Sequence, residues 1–454
     1  MSRQLTLLRS LGLGDAMMLV VGCIVGSGIF RTASLIAGHV PSPLLTLALW
    51  AFGGVLSLCG ALCYAELAAM FPATGGDYVY TTRIYGRFWG FLFGWTKLFI
   101  ERTGTIAILS FVFAEYLSRI VPLSDLAIRA LASAAIILLT IVNIAGVRWG
   151  TLVQNIFTVL KTVALVALIL AAGVALRSPA MAAPDWSLPP LGLDTLSSLG
   201  VALVFVLFAY GGWTEAAYVA EEIRHPTRNV PRAIIGGLLL TAALYVLVNW
   251  SYLLFIPMAD LPNTPLVASA VMQRVLGNAG ALFIAAMIAC SAFGALNGYI
   301  LTGARILYAM AKDHALFERL GTIHPLRRTP ARALWVNAAL ASVLVFTKTL
   351  DQIMTYSTVV ISLFFTLVVF GVFLLRRRLP QAERPYRAWG YPVTPAVFCL
   401  TMLGFMADIW IKQPREAMFG FGFLALGLPL YWWSQRQPRP TRIAEPALED
   451  AVAL

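Results

Sequence analysis

The chain has 454 residues, of which 59% are hydrophobic and only 12% charged, with a mean hydropathy of +0.81. Such a composition leaves too little polar surface for a water-soluble domain of this length, so the lipid bilayer must be the solvent. The formal net charge of +12 would suit a nucleic-acid binder, but the cations lie in short loops between apolar runs, and no nucleic-acid partner is expected.

In chain order, the first five apolar stretches are 15–37, 43–70, 89–116, 126–145 and 153–176. The next five are 196–220, 233–256, 279–311, 334–346 and 352–375, and the last two are 393–411 and 417–433. Most approach the roughly 20 residues that cross a bilayer. Because lipid offers the backbone no hydrogen bonds, the prediction is an all-α membrane protein of twelve transmembrane helices. The opening stretch has no small-residue cleavage site before the next span, which reads as a retained helix and not a signal peptide.

Threading these spans puts Arg9, Arg83, Arg148, Arg228, Arg327, Arg377 and most other cations on one side, against Arg119, Arg129, Arg274, Lys412 and a few others opposite. Basic loops stay in the cytoplasm, so both termini are expected there, in a multi-pass protein of the inner (plasma) membrane. Cys23, Cys59, Cys63, Cys290 and Cys399 fall inside apolar helices without ligand spacing and read as small packing residues. His39, His225, His314 and His324 are scattered over loops and helix ends without carboxylates at ligand spacing. Neither an enzyme nor a metal or cofactor site is expected from them.

Two spans carry glycine clusters at mid-depth: Gly22 with Val25-Gly26-Ser27-Gly28-Ile29-Phe30 in the first, and Phe208-Ala209-Tyr210-Gly211-Gly212-Trp213 in the sixth. Either cluster alone is compatible with close helix packing. Together they interrupt the opening helices of two successive five-helix blocks, which is the pattern of an inverted-repeat transporter site. The amides that a break exposes after Gly26 to Gly28, at a positive dipole end, suit a carboxylate. The carbonyls where the other half-helix closes at Phe208 and Ala209 suit an ammonium group, so one site would hold both ends of an α-amino acid.

The strings Gly26 to Phe30 and Phe208 to Trp213, Glu221-Glu222 with Pro226 and Asn229-Val230-Pro231, and Cys290 to Asn297 resemble the L-type amino acid transporter branch of the amino acid, polyamine and organocation superfamily. The resemblance implies a LeuT-type fold of two five-helix repeats, 10–177 and 195–378, followed by two helices in 390–435 and a short cytoplasmic tail, 436–454. It also implies an amino acid substrate held by Val25, Gly26, Ser27, Gly28, Phe208, Ala209 and Gly211, with Phe208 as a gate closing from outside. Thr105 and Thr214, with Thr103, Gly104 and Ala107, are weaker candidates for the side-chain pocket.

Ionisable residues at membrane depth are expensive and need a reason. Lys161, in the fifth span, either snorkels to the surface or acts inside. By the resemblance, it stands where sodium-coupled relatives hold a cation, bridging the Gly26 region and Ser291, which implies transport without sodium. Lys97, Glu101 and Arg102 suggest an internal ion pair, while Glu215 is left open between tuning substrate charge, coupling protons and facing the loops. The expected function is therefore secondary transport, by sodium-independent exchange of small neutral L-amino acids. A proton-coupled symporter, or a polyamine or cationic amino acid antiporter of the same fold, remains open through Glu215 and Glu101. Animal members of the family pair with a glycoprotein through an extracellular cysteine, but the loop 118–125 has no cysteine, and no such partner is expected.

Overall fold

The computed structural model describes residues 6–26, 28–175, 184–190, 192–264, 266–347 and 350–436. Their regular elements are helices, and the nearest approach to strand pairing is an isolated bridge between Leu11 and Ile223.

The first predicted span is two helices, α1 (Leu13–Ile24) and α2 (Gly28–His39), of 12 residues each. At 1.5 Å per residue each covers about 18 Å, roughly half of a hydrocarbon core, so only the pair can cross. Helix α3 (Pro43–Met70) runs unbroken, started by Pro43 and by the Ser42 hydroxyl, which accepts from the Leu45 amide. After a turn at Gly75 and Gly76 comes the short helix α4 (Asp77–Tyr85), too polar to span.

The third predicted span is not a regular helix. Helix α5 (Arg87–Thr96) passes through a π-helical turn, Lys97–Arg102, into α6 (Thr103–Ser118). The widened turn falls on the charged stretch and aims it inward. Helices α7 (Asp125–Ala145) and α8 (Val147–Ala175) cover the fourth and fifth spans. The sixth again splits, into α9 (Leu193–Ala209) and one helical turn, α10 (Glu215–Tyr218).

Helix α11 (Pro226–Phe255) follows, then a ten-residue helix α12 (Val267–Leu276), too short to register as a span in the sequence. The remaining helices are α13 (Asn278–Asp313), α14 (Ala331–Phe346), α15 (Leu350–Arg378), α16 (Val393–Lys412) and α17 (Pro414–Gln435). Eight of the described helices are long and apolar enough to cross a membrane. The first, third, sixth and ninth predicted spans are instead covered by shorter pieces, because their helices are broken, widened or short.

Helix α13 is the axis, packed on α1, α6, α8, α10 and α14, with 78% of its apolar window buried. The same figure is 22% for α16 and α17, which leaves those two to face lipid. Of the half-helices, α1 and α10 lie against this axis, and α2 packs on α9, so the bends occur where protein, and not lipid, can take up the freed backbone groups.

Gly212 fixes the second break. Its φ is +109°, and a Cβ there would fall 2.9 Å from the Cys23 carbonyl carbon. Around Gly26 a Cβ would meet nothing within 4 Å. Gly212→Ala should therefore cost about 2 kcal/mol or more and visibly lower the thermal unfolding temperature in detergent, while Gly26→Ala keeps the parent value. Equal melting of the two variants would contradict the contact.

Candidate functional site

The two breaks face each other. A Cβ built on Gly28, the first residue of α2, would lie 3.5 Å from the Ala209 Cα at the end of α9. The hydroxyl of Tyr245, on α11, reaches Ile24 O at 2.8 Å and Ala209 O at 3.2 Å, sharing its proton between the ends of two half-helices. Trp50 and Tyr210 pack edge-on and tilted around this tyrosine, and Tyr210 donates to Trp50 O at 3.0 Å.

In the first break the backbone turns sharply. The Val25 amide still bonds Val21 O at 2.8 Å, and the Gly26 amide folds back on Ile24 O at 2.8 Å. The opening amides of α2 have no acceptor within their own helix and point with its positive dipole end toward α9. Across the gap, Phe208 O accepts from the Gly211 amide at 3.0 Å and Ala209 O from Tyr245. Each carbonyl thus retains one lone pair for a further donor.

The carbonyls freed at the end of α1 are taken by two side chains. The Lys161 ammonium, from α8, donates to Gly22 O and, at 2.7 Å, to Val25 O. The Ser291 hydroxyl, from α13, reaches Val25 O at 3.0 Å and Gly26 O at 3.3 Å. Lys161 is 1% exposed and, among the described residues, forms no ion pair. Its charge is met by the negative dipole end of α1, so it does not snorkel.

Val25, Gly26, Gly28, Ala209, Lys161 and Ser291 are therefore brought together, with Gly211 and Thr214 in the adjoining turn. Ser27 lies outside the described residues. Phe208 is 53% exposed, so it is not folded over the cradle here. Thr105 is half-buried on α6 and, among the described residues, forms no hydrogen bond to either break.

Below the second break is a group of buried charges. Arg102 makes a bidentate pair with Glu215, at 3.0 and 3.2 Å, and its Nη1 lies 3.2 Å from the Thr302 hydroxyl. The guanidinium is held between the rings of Tyr218 and Tyr299, at 5.1 and 4.9 Å. Glu101 stands 3.3 Å from Lys97 and 3.6 Å from Arg102. Glu215 is 2% exposed, so it does not face a loop. Tyr245 and Thr302 have no signal in the sequence, because each matters only through partners on distant helices.

The face carrying the amino terminus is closed. Glu222 pairs with Arg305, both fully buried, and Glu221 bonds Lys312 and the Thr74 amide. The chain before α1 pairs with the segment after α10 through Leu11 N to Glu222 O and Arg224 N to Leu11 O, each 2.9 Å. Among the described residues no three His, Cys, Asp or Glu side chains group as metal ligands.

Comparison with known proteins agrees on one family. Residues 11–427 match the family model described as amino acid permease. The chain is 29% identical to the serine/threonine exchanger SteT of Bacillus subtilis, over 94% of this chain and 97% of the relative. It is 31% identical to the human b(0,+)-type amino acid transporter 1, over 98% and 94%, and 32% identical to the rat large neutral amino acids transporter small subunit 2, over 93% and 80%.

Removing one member of the Arg102–Glu215 pair should cost about 3–5 kcal/mol, because the other charge stays buried without its bidentate partner, Arg102 keeping only the longer 3.6 Å contact with Glu101. Glu215→Ala is expected to melt far below the parent in detergent, and the double variant Arg102→Leu with Glu215→Leu to recover most of the loss. A double variant no better than the single one would show that the pair is not the source.

Proposed function

Because this chain belongs to the amino acid permease family, we propose that it exchanges small neutral L-amino acids across the plasma membrane, without sodium. The observation that carries the reading is the juxtaposition of the free amino end of α2 with the carbonyls closing α9, where Tyr245 ties the end of α1 to the end of α9. A zwitterion fits that cradle with its carboxylate on the amides of Gly28 and its neighbours and its ammonium on the Phe208 and Ala209 carbonyls. Thr105, Thr214 and Gly211 are proposed to border its side chain, and Phe208 to swing over it from the far side.

Small neutral substrates are favoured because the nearest acid, Glu215, is already neutralised by Arg102. That pairing argues against a polyamine or a cationic amino acid. Sodium independence rests on Lys161, whose tethered ammonium occupies the carbonyls that an exchangeable cation would need. A tethered charge is not lost in each cycle and so stores no gradient. Relatives named as exchangers and neutral amino acid transporters support the same substrate class.

For topology we propose that the basic, amino-terminal face is cytoplasmic, that 10–177 and 195–378 are the two repeats, and that no glycoprotein subunit is required. The closed amino-terminal face and uncovered Phe208 then correspond to an outward-facing conformation.

The test is uptake of labelled L-threonine, L-serine, L-alanine, L-leucine and L-arginine by purified protein in proteoliposomes. Internal unlabelled amino acid is present or absent, in sodium or choline buffer. Uptake of the small neutral substrates should require internal amino acid and be equal in both buffers. A strict sodium requirement, or preference for L-arginine, would sink the proposal. Gly28→Val should abolish binding, because its side chain would block the amides. Phe208→Ala should slow uptake without lowering the melting temperature. Lys161→Ala should slow turnover through loss of order at Gly22 and Val25.

A further inference from the structure

Among the described residues outside the cradle, one buried carboxylate has neither oxygen satisfied. Asp77 is fully buried, and neither of its side-chain oxygens has a partner in hydrogen-bonding geometry. It opens α4, a helix outside the membrane spans. The amides that would normally cap such a carboxylate are spent on the backbone: Tyr78 N bonds Gly75 O, and Val79 N and Tyr80 N bond Gly76 O.

Its surroundings come from several elements. The hydroxyls of Tyr218, on α10, and Tyr64, on α3, stand toward it, and both, like the hydroxyl of Tyr80, lack a partner in good geometry. Lys97, from the π-helical turn, is the nearest cation, but its ammonium is engaged by Glu101 at 3.3 Å and lies among the rings of Phe93, Tyr218 and Phe365. Glu215 adds a repulsive charge, itself bound by Arg102.

The position is a seam. The Gly75 amide bonds Tyr218 O at 3.2 Å, and a Cβ on Gly76 would run into the Tyr218 ring at 2.7 Å, so the loop before α4 lies directly on the helical turn after the second break. Tyr64 connects the same point to the cradle, its ring 4.9 Å from that of Trp213. Parting α10 from this loop to open the amino-terminal face would admit water to Asp77.

We propose that Asp77 is a proton-binding site that latches the amino-terminal face shut: a proton bound there favours the closed seam, and opening the seam releases it to that side. A neutral carboxyl donates one hydrogen bond and accepts others from the two tyrosine hydroxyls, so the orphaned atoms satisfy one another. An ionised one leaves a desolvated charge with no committed counter-ion. Burial, opposed by Lys97 and the hydroxyls of Tyr218 and Tyr64, pushes the carboxyl up to about 6 from an ordinary value of 3.8. An acid whose value is raised in the closed form favours that form below its ordinary value, and the bias fades as pH rises through about 6. Acidification from pH 7.5 to 5.5 should then raise the closed-to-open ratio about fourfold.

The experiment reads conformation and does not depend on the substrate. Spin labels are placed on the amino-terminal face at Arg9→Cys and Leu326→Cys, both exposed, in purified protein, and their separation is measured by pulsed electron resonance from pH 5 to 8. The shorter separation should gain population on acidification, the rise setting in as pH falls through about 6 and reaching about fourfold by pH 5.5. Asp77→Asn, which mimics the neutral form, should hold the shorter separation at every pH. Tyr218→Phe, which removes a hydroxyl that stabilises the ionised form, should move that onset to higher pH. A pH-independent distribution in the parent overturns the proposal, as does a pH response surviving in Asp77→Asn. If Asp77→Asn does not fold, an unmoved onset in Tyr218→Phe does the same. Failure of the exchange assay would leave these distances untouched, so the two readings fail separately.

Discussion

A helix that stops inside a bilayer must have its freed carbonyls and amides satisfied by protein, since lipid cannot do it. Here the first break is tied by Lys161 and Ser291, and both breaks by Tyr245. These three side chains come from α8, α13 and α11, so the cradle is held from three directions. The amino end of α2 is left out of this pairing, and it is the group that remains free for a ligand.

The same economy governs the buried charges. Lys161 is neutralised by a helix end, Arg102 by Glu215, and Arg305 by Glu222, each partner lying on a helix remote in sequence. Two of these pairs join α10 and the turn after it to α13 and to the π-helical turn. The short helix that follows the second break is thereby fixed to the central axis of the protein.

Closure of the amino-terminal face uses both ion pairs and backbone pairing between Leu11 and residues 222–224. Phe208, on the other side of the cradle, is uncovered. Asp77 lies where the loop before α4 meets α10.

Much of the fold was legible in the sequence because apolar length and glycine content act locally. The breaks at Gly26–Gly28 and Gly211–Gly212 appear where the clusters are, and Lys161 was marked out as needing a reason because its cost in lipid is independent of its neighbours, while its burial came only from the structure. The π-helical turn at Lys97–Arg102 and the short helix α12 were not legible, since neither changes hydropathy over the length of a span. Composition and spacing by themselves determined the bilayer as solvent, the helices and the places where they fail. Only the tertiary structure decided which groups repair those failures. Tyr245, Thr302 and the committed pairing of Glu215 follow from helices meeting across more than thirty positions of sequence, and a side-chain hydrogen bond has no signature until both of its ends are in space.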